Sequence, residues 1–176
     1  GAADLVEADI AKVIMAMATL PAEGRRGARH VLRHPEGTFT LIDESYNANP
    51  TSMRAALSLL HSTTPEGSRG RRIAVLGDML ELGRQSGKLH ADLARPIVDA
   101  EVNTLFIGGP DMSALKNALP VEIQTEYRQS TDELLPLVIK AIRPGDVIMV
   151  KSSKGIGFSK IVKALISQFP PVEPAE

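Results

Sequence analysis

The feature that most limits how this chain can fold is a set of short apolar runs, Phe39 to Ile42, Ile73 to Leu76, Thr104 to Ile107 and Val147 to Val150, standing between segments of helical period. Runs of this length are too short for helices but suffice for buried strands. Strands that are apolar on both faces need cover on both faces, and helices returning the chain between parallel strands supply it. The expected fold class is therefore α/β, a doubly wound and mostly parallel sheet. The segment Val31 to Ile42, turning at His34 to Gly37, predicts an antiparallel hairpin at one edge.

Helical spacing is carried by Met53, Ala56, Leu57 and Leu60, by Leu89, Leu93, Ile97 and Ala100, and by Phe158, Ile161, Val162, Leu165 and Phe169; a further helix is expected around 134–142. Pro96 and Pro136 should kink two of these or shift their starts. Val6, Ile10, Val13, Ile14 and Met17 predict a separate amphipathic helix ending near Pro21, followed by a polar connection with Gly24, Arg25 and Arg26. The expected organisation is a terminal helix and linker over 1–24, one α/β domain over 25–169, and a disordered, proline-rich tail over 170–176.

Composition narrows the function. At 176 residues, 43% hydrophobic and 23% charged, the chain can bury a core and reads as a globular protein. Twenty Lys and Arg balance 21 Asp and Glu, and with two Tyr, four Phe and no Trp there is little charge or aromatic surface for bases, so no nucleic-acid partner is expected. Glu7, Asp9 and Lys12 interrupt the apolar stretch near the start, which argues against a signal peptide or membrane insertion. The absence of Cys fits a reducing, cytoplasmic setting and removes thiolate chemistry.

Ligands of open α/β sheets bind beyond the carboxyl ends of strands, which directs attention to the loops there. After Ile42 come Asp43, Glu44, Ser45, Tyr46, Asn47, Ala48, Asn49 and Pro50. Asn49 suits an N-cap and Pro50 the first helical position. Asp43, Tyr46 and Asn47 could hydrogen-bond a ribose and a purine edge, or simply form a capped loop. The loop 151–157, with Lys151, Ser152, Ser153, Lys154 and flexible glycines beside a helix start, could hold a carboxylate or phosphate, or be a solvated turn. Asp78 could be functional or could cap the next segment, and His90 reads as a local hydrogen-bonding group. The stretch 83–89 imitates a phosphate loop but is one residue short between its glycines and has Leu89 in place of Ser or Thr. No GxGxxG follows a strand, and His30 and His34 sit in the expected hairpin flanked by Arg29 and Arg33, so neither dinucleotide nor zinc binding is expected. Arg69 to Arg72 reads as a solvated loop.

The string from Thr40 through Asp43, Glu44, Ser45, Tyr46, Asn47, Ala48, Asn49 and Pro50 to Leu57 resembles the opening of the C-terminal domain of the MurF branch of the Mur ligases, bacterial cell-wall enzymes. Gly24 to His30 is similar to the family's Gly-Arg-Gly linker, Arg72 to Gly83 to its Gly-Asp-Met-Leu-Glu-Leu-Gly block, and Val150 to Gly157 to its Val-Lys-Gly-Ser-Arg-Gly-Met-Gly loop. Asp4 to Leu20 looks like the last helix of the family's central ATPase domain. The resemblance implies an ATP-dependent ligase that joins D-alanyl-D-alanine to UDP-N-acetylmuramoyl-tripeptide through an acyl phosphate, with ATP and magnesium held mainly by a central domain. It also implies that Arg26 (or Arg25), Asp43, Tyr46, Asn47 and Asn49 face the nucleotide, while Lys151, Ser153 and Lys154 lie toward the dipeptide or phosphate. The family's Gly-Lys-Thr phosphate loop, modified lysine and N-terminal UDP-binding domain are not in this sequence, so the chain is expected to be an inactive piece of a ligase that works with those domains. Ser152 replaces a family Gly and Lys154 a family Arg, which removes a bidentate fork. The alternatives are a free-standing α/β binding module and a folylpolyglutamate synthetase, which shares the domain plan but not these blocks.

Overall fold

The computed structural model describes residues 27–174, so the terminal helix, Arg25 and Arg26 lie outside the described residues. The chain runs β1 (Ala28–His34), β2 (Gly37–Glu44), α1 (Pro50–Ser62), β3 (Arg72–Gly77), α2 (Ser86–Ala91), α3 (Ala94–Asp99), β4 (Thr104–Gly108), α4 (Met112–Ala118), β5 (Gln124–Arg128), α5 (Thr131–Ala141), β6 (Val147–Lys151) and α6 (Ser159–Gln168). The strands form one six-stranded sheet in the order β1-β2-β6-β3-β4-β5. Only the β1–β2 hairpin pairs antiparallel; the remaining ladders are parallel.

The two-residue period of each strand divides its side chains between two layers. From β3, Ala74 and Leu76 join Met53, Leu57, Leu60 and Ile97 of α1 and α3. Ile73 and Val75 join Leu134, Val138, Ile161 and Leu165 of α5 and α6 on the opposite face. Cover on both faces is the doubly wound arrangement, and the edge hairpin is present.

Four details differ from the sequence reading. First, β5 and α4 were not foreseen: β5 is a polar edge strand with no fully buried residue, and α4 buries only Met112 and Leu115. Second, the kink expected at Pro96 is a full break: the apolar stripe from Leu89 to Ala100 is carried by two short helices, because Pro96 has no amide for the Asp92 carbonyl and its ring crowds that turn. Pro136, by contrast, lies inside α5 without ending it. Third, Arg71 and Arg72 are anchors rather than solvated side chains. Arg71 clasps the buried Asp146 carboxylate with bonds of 3.1 and 2.7 Å, and Arg72 donates to the Leu60 and His61 carbonyls at the end of α1. Fourth, the tail expected to be disordered from Pro170 is paired to β1 as far as Val172: Arg33 donates its amide to the Pro170 carbonyl and Val172 donates to the Val31 carbonyl, each at 2.8 Å.

Candidate functional site

Parallel pairing brings the carboxyl ends of β2, β6 and β3 side by side, with Glu44 opposite Lys151 and Lys151 opposite Leu76. The loops that follow therefore converge whatever their separation in sequence. The first is shaped locally. Asn49 caps α1 by accepting the Ser52 amide at 2.8 Å, and Ser52 Oγ accepts the Asn49 amide at 2.9 Å, with Pro50 at the first helical position. Asn49 Oδ1 is thus engaged in capping, as the spacing predicted. Asn47 turns its Oδ1 to the Ala48 amide, leaving its amide nitrogen for other partners. Tyr46 is 41% exposed, and the Lys154 ammonium lies 5.5 Å from its ring centre, a cation–π arrangement across the two loops.

Asp43 is 1% exposed, and its Oδ1 accepts both the amide and the hydroxyl of Ser45, at 2.9 and 2.6 Å. Its Oδ2 is buried and finds no hydrogen-bond partner among the described residues. An unpartnered buried carboxylate oxygen is costly, which marks this atom as one to which a group could still bond.

Lys151 and Ser153, placed toward substrate by the resemblance, are interior. Lys151 is 3% exposed; its ammonium donates to the Asn47 carbonyl at 2.7 Å and lies 3.7 Å from Glu44. Ser153 is 5% exposed and donates to the Ala48 carbonyl at 3.2 Å while accepting the Leu80 amide at 2.9 Å. Both residues tie the loops together. Of that loop's named residues, only Lys154 is exposed. Glu44, which sequence reasoning passed over, belongs with Lys151, and no local signal marks the pair because it forms only through strand register.

Asp78 proves to be a cap. Its Oδ1 accepts the Met112 amide at 2.9 Å and its Oδ2 the Asp111 amide at 3.3 Å, at the start of the unforeseen α4. Burial raises its carboxyl above the ordinary range; those two amides work against the shift and the Asp111 carboxylate adds to it. His90 is the local hydrogen-bonding group expected, its Nε2 accepting the Met79 amide at 2.9 Å. His30 and His34 lie four apart on a strand, about 13 Å end to end, too far to share an ion.

A hollow of about 60 Å3 sits between the first two loops, lined by Glu44, Tyr46, Asn47, Asn49, Ser52 and Lys151. It has room for a few waters and not for a nucleoside, so a large ligand would be met by a rim rather than enclosed. A larger hollow of about 350 Å3 between α1 and α3 gathers none of these residues. Among the described residues no three His, Asp or Glu side chains converge on a point that could hold a metal ion. No described helix is long and apolar enough to cross a membrane.

Residues 29–154 match the family model of the Mur ligase, glutamate ligase domain. The UDP-N-acetylmuramoyl-tripeptide–D-alanyl-D-alanine ligase of Mycobacterium leprae is 34% identical over 72% of this chain, and that of Bacillus subtilis 34% over 80%. A crystal structure of MurF from Acinetobacter baumannii superposes with a TM-score of 0.66 at 28% identity, covering 81% of this chain and 31% of that one. The chain spans only 28% and 31% of the length of the two curated relatives. The matched stretch runs from β1 to the loop after β6, taking in all the converging strand ends, and the chain belongs to the Mur ligase family through this C-terminal domain.

Proposed function

We propose that this chain is the C-terminal domain of an ATP-dependent ligase that adds D-alanyl-D-alanine to UDP-N-acetylmuramoyl-tripeptide in the cytoplasm. The observation that carries the reading is the meeting of the Tyr46–Asn49 and Lys151–Lys154 loops at one sheet edge, inside the stretch matched to the family. In the reaction the peptidyl carboxylate is activated by phosphoryl transfer from ATP, and the amine of the dipeptide displaces phosphate from the resulting acyl phosphate.

This chain supplies a rim that closes on a nucleotide held elsewhere in the protein. Tyr46 and the free amide nitrogen of Asn47 face outward to meet a nucleoside, and Arg26, from the linker, is assigned to ribose or phosphate. Asp43 offers its unpartnered oxygen once the Ser45 turn adjusts on closure. Lys154 is the exposed cation for a carboxylate or phosphate, acting as a point charge. Lys151, Ser153 and Asn49 hold these groups in place. Magnesium is assigned to the central domain together with the phosphate loop, no cluster of three carboxylate or imidazole side chains being present among the described residues, and no step here is routed through it.

The test is dipeptide-dependent release of phosphate from ATP by the full-length protein, with the 176-residue chain as control. The full-length protein should turn over and the chain alone should not. Turnover by the isolated chain, or none by the full-length protein with all three substrates, would overturn the reading.

A further inference from the structure

Beyond β3 the chain turns through Asp78, Met79 and Leu80, and the side chain that holds this turn comes from α2. His90 is completely buried. Its Nε2 accepts the Met79 amide at 2.9 Å, which leaves the proton on Nδ1, 2.7 Å from the Ser86 carbonyl that accepts it. Both ring nitrogens are bonded to backbone, and the neutral tautomer is set by them. One residue on, the Leu80 amide donates to Ser153 Oγ at 2.9 Å. The Ser153 amide donates back to the Asp78 carbonyl at 3.1 Å, and its hydroxyl donates to the Ala48 carbonyl at 3.2 Å. An unbroken set of bonds thus joins the imidazole to the loop that presents Lys154 and to the loop that presents Tyr46.

A side chain needed only to fill this space would be apolar, because burying an imidazole costs free energy unless both nitrogens are bonded. What His90 bonds is the amide at the centre of the turn. We propose that His90 is a positioning residue of the ligase site. It fixes the Met79 amide, and through Leu80 and Ser153 it fixes the 151–157 loop and the place of Lys154. It touches no substrate. The inference rests on the ligase reading above.

Two substitutions separate the ring's bonds. His90→Gln can set a carbonyl oxygen near the position of Nε2 and still accept the Met79 amide, whereas the shorter His90→Asn reaches only toward Ser86 and leaves that amide without an acceptor. In the full-length enzyme His90→Asn is expected to lower kcat/KM for D-alanyl-D-alanine about tenfold or more, since small displacements of a binding group are costly, and His90→Gln to recover most of that loss. Hydrogen exchange should show the amides of Met79 and Leu80 less protected in the Asn variant than in the Gln variant, with those of Val75 and Ile107 unchanged.

Wild-type kinetics in His90→Asn with a deprotected Met79 amide would overturn the proposal. So would equal losses of activity and of core protection in both variants, the pattern of a merely destabilised fold. If the Asn variant does not fold, Ser153→Ala cuts the next bond of the path with His90 intact, and wild-type kinetics there would be equally fatal. An inactive wild-type enzyme counts against the ligase reading instead, and the exchange data then decide whether His90 holds the turn.

Discussion

The ends of β2 and β3 each carry a buried aspartate, and the two are satisfied to different degrees. At Asp78 both carboxylate oxygens accept backbone amides from the start of α4. At Asp43 one oxygen serves Ser45 and the other is left without a partner among the described residues. A buried carboxylate that is fully bonded closes the fold. One that is half bonded keeps a demand that only another group can meet. The difference leaves the loop after β3 closed on itself and the loop after β2 with one bond unmet, although both sit at the edge where ligands of such sheets bind.

The largest expected effect attacks the β3 side. Gly109 has a φ of +117°, and a Cβ there would lie 2.4 Å from the Asp78 carboxylate. Gly109→Ala should therefore cost about 3 kcal/mol or more in denaturant unfolding, through both backbone strain and displacement of the cap. A loss below about 1 kcal/mol would show that the cap is dispensable.

Asp78→Ala comes next, at about 2 to 3 kcal/mol, because two helix-start amides lose a charged acceptor. Asp78 also predicts a pH signature. Burial raises its carboxyl in the folded state, so that state binds the proton more tightly than the unfolded chain does. Stability from this group is full below its ordinary value of 3.8 and is lost as pH rises through the folded value. The difference in unfolding free energy between wild type and Asp78→Asn should accordingly fall as pH rises above 3.8 and then level off. A difference that grows with pH would reverse the assignment.

Asp43→Ala should invert the balance. It removes the Ser45 turn but also an unpartnered oxygen, so its stability cost should stay near about 1 kcal/mol, while in the full-length enzyme it costs about 1 to 3 kcal/mol of ATP-dependent turnover. Equal stability losses at Asp43 and Asp78 with unchanged ATP dependence would erase the contrast between the two ends. The smallest effect belongs to Lys154. Steady-state kinetics with ATP and dipeptide varied separately should show Lys154→Arg keeping or improving activity and Lys154→Ala weakening one dependence more than the other.

Much of the fold was legible because the apolar runs are long enough to cross the sheet and the helical stripes are regular. What escaped has physical reasons. Residues 124–128 lie at an edge, where half-exposed polar side chains give no apolar run, and α4 is too short to show a period. The site was legible as loops and not as roles. The capping by Asn49 is local and could be read directly. The burial of Lys151 depends on a carbonyl 104 residues away, and that of Ser153 on one 105 residues away. No spacing in the sequence announces that these polar side chains face each other's loops rather than solvent.

The pairing of residues 170–172 with β1 has a consequence for handling the protein. A sheet edge with free amides and carbonyls is a template on which a second chain can add a strand. Here the Arg33 amide and the Val31 carbonyl are occupied by residues 170 and 172 of the same chain. The opposite edge, β5, carries Glu126 and Arg128 as charged guards. A protease that clips after Phe169 would leave the carboxyl ends of β2, β6 and β3 untouched and strip one flank of the sheet. The trimmed protein would then be lost first to self-association in storage, well before any fall in its intrinsic stability became measurable.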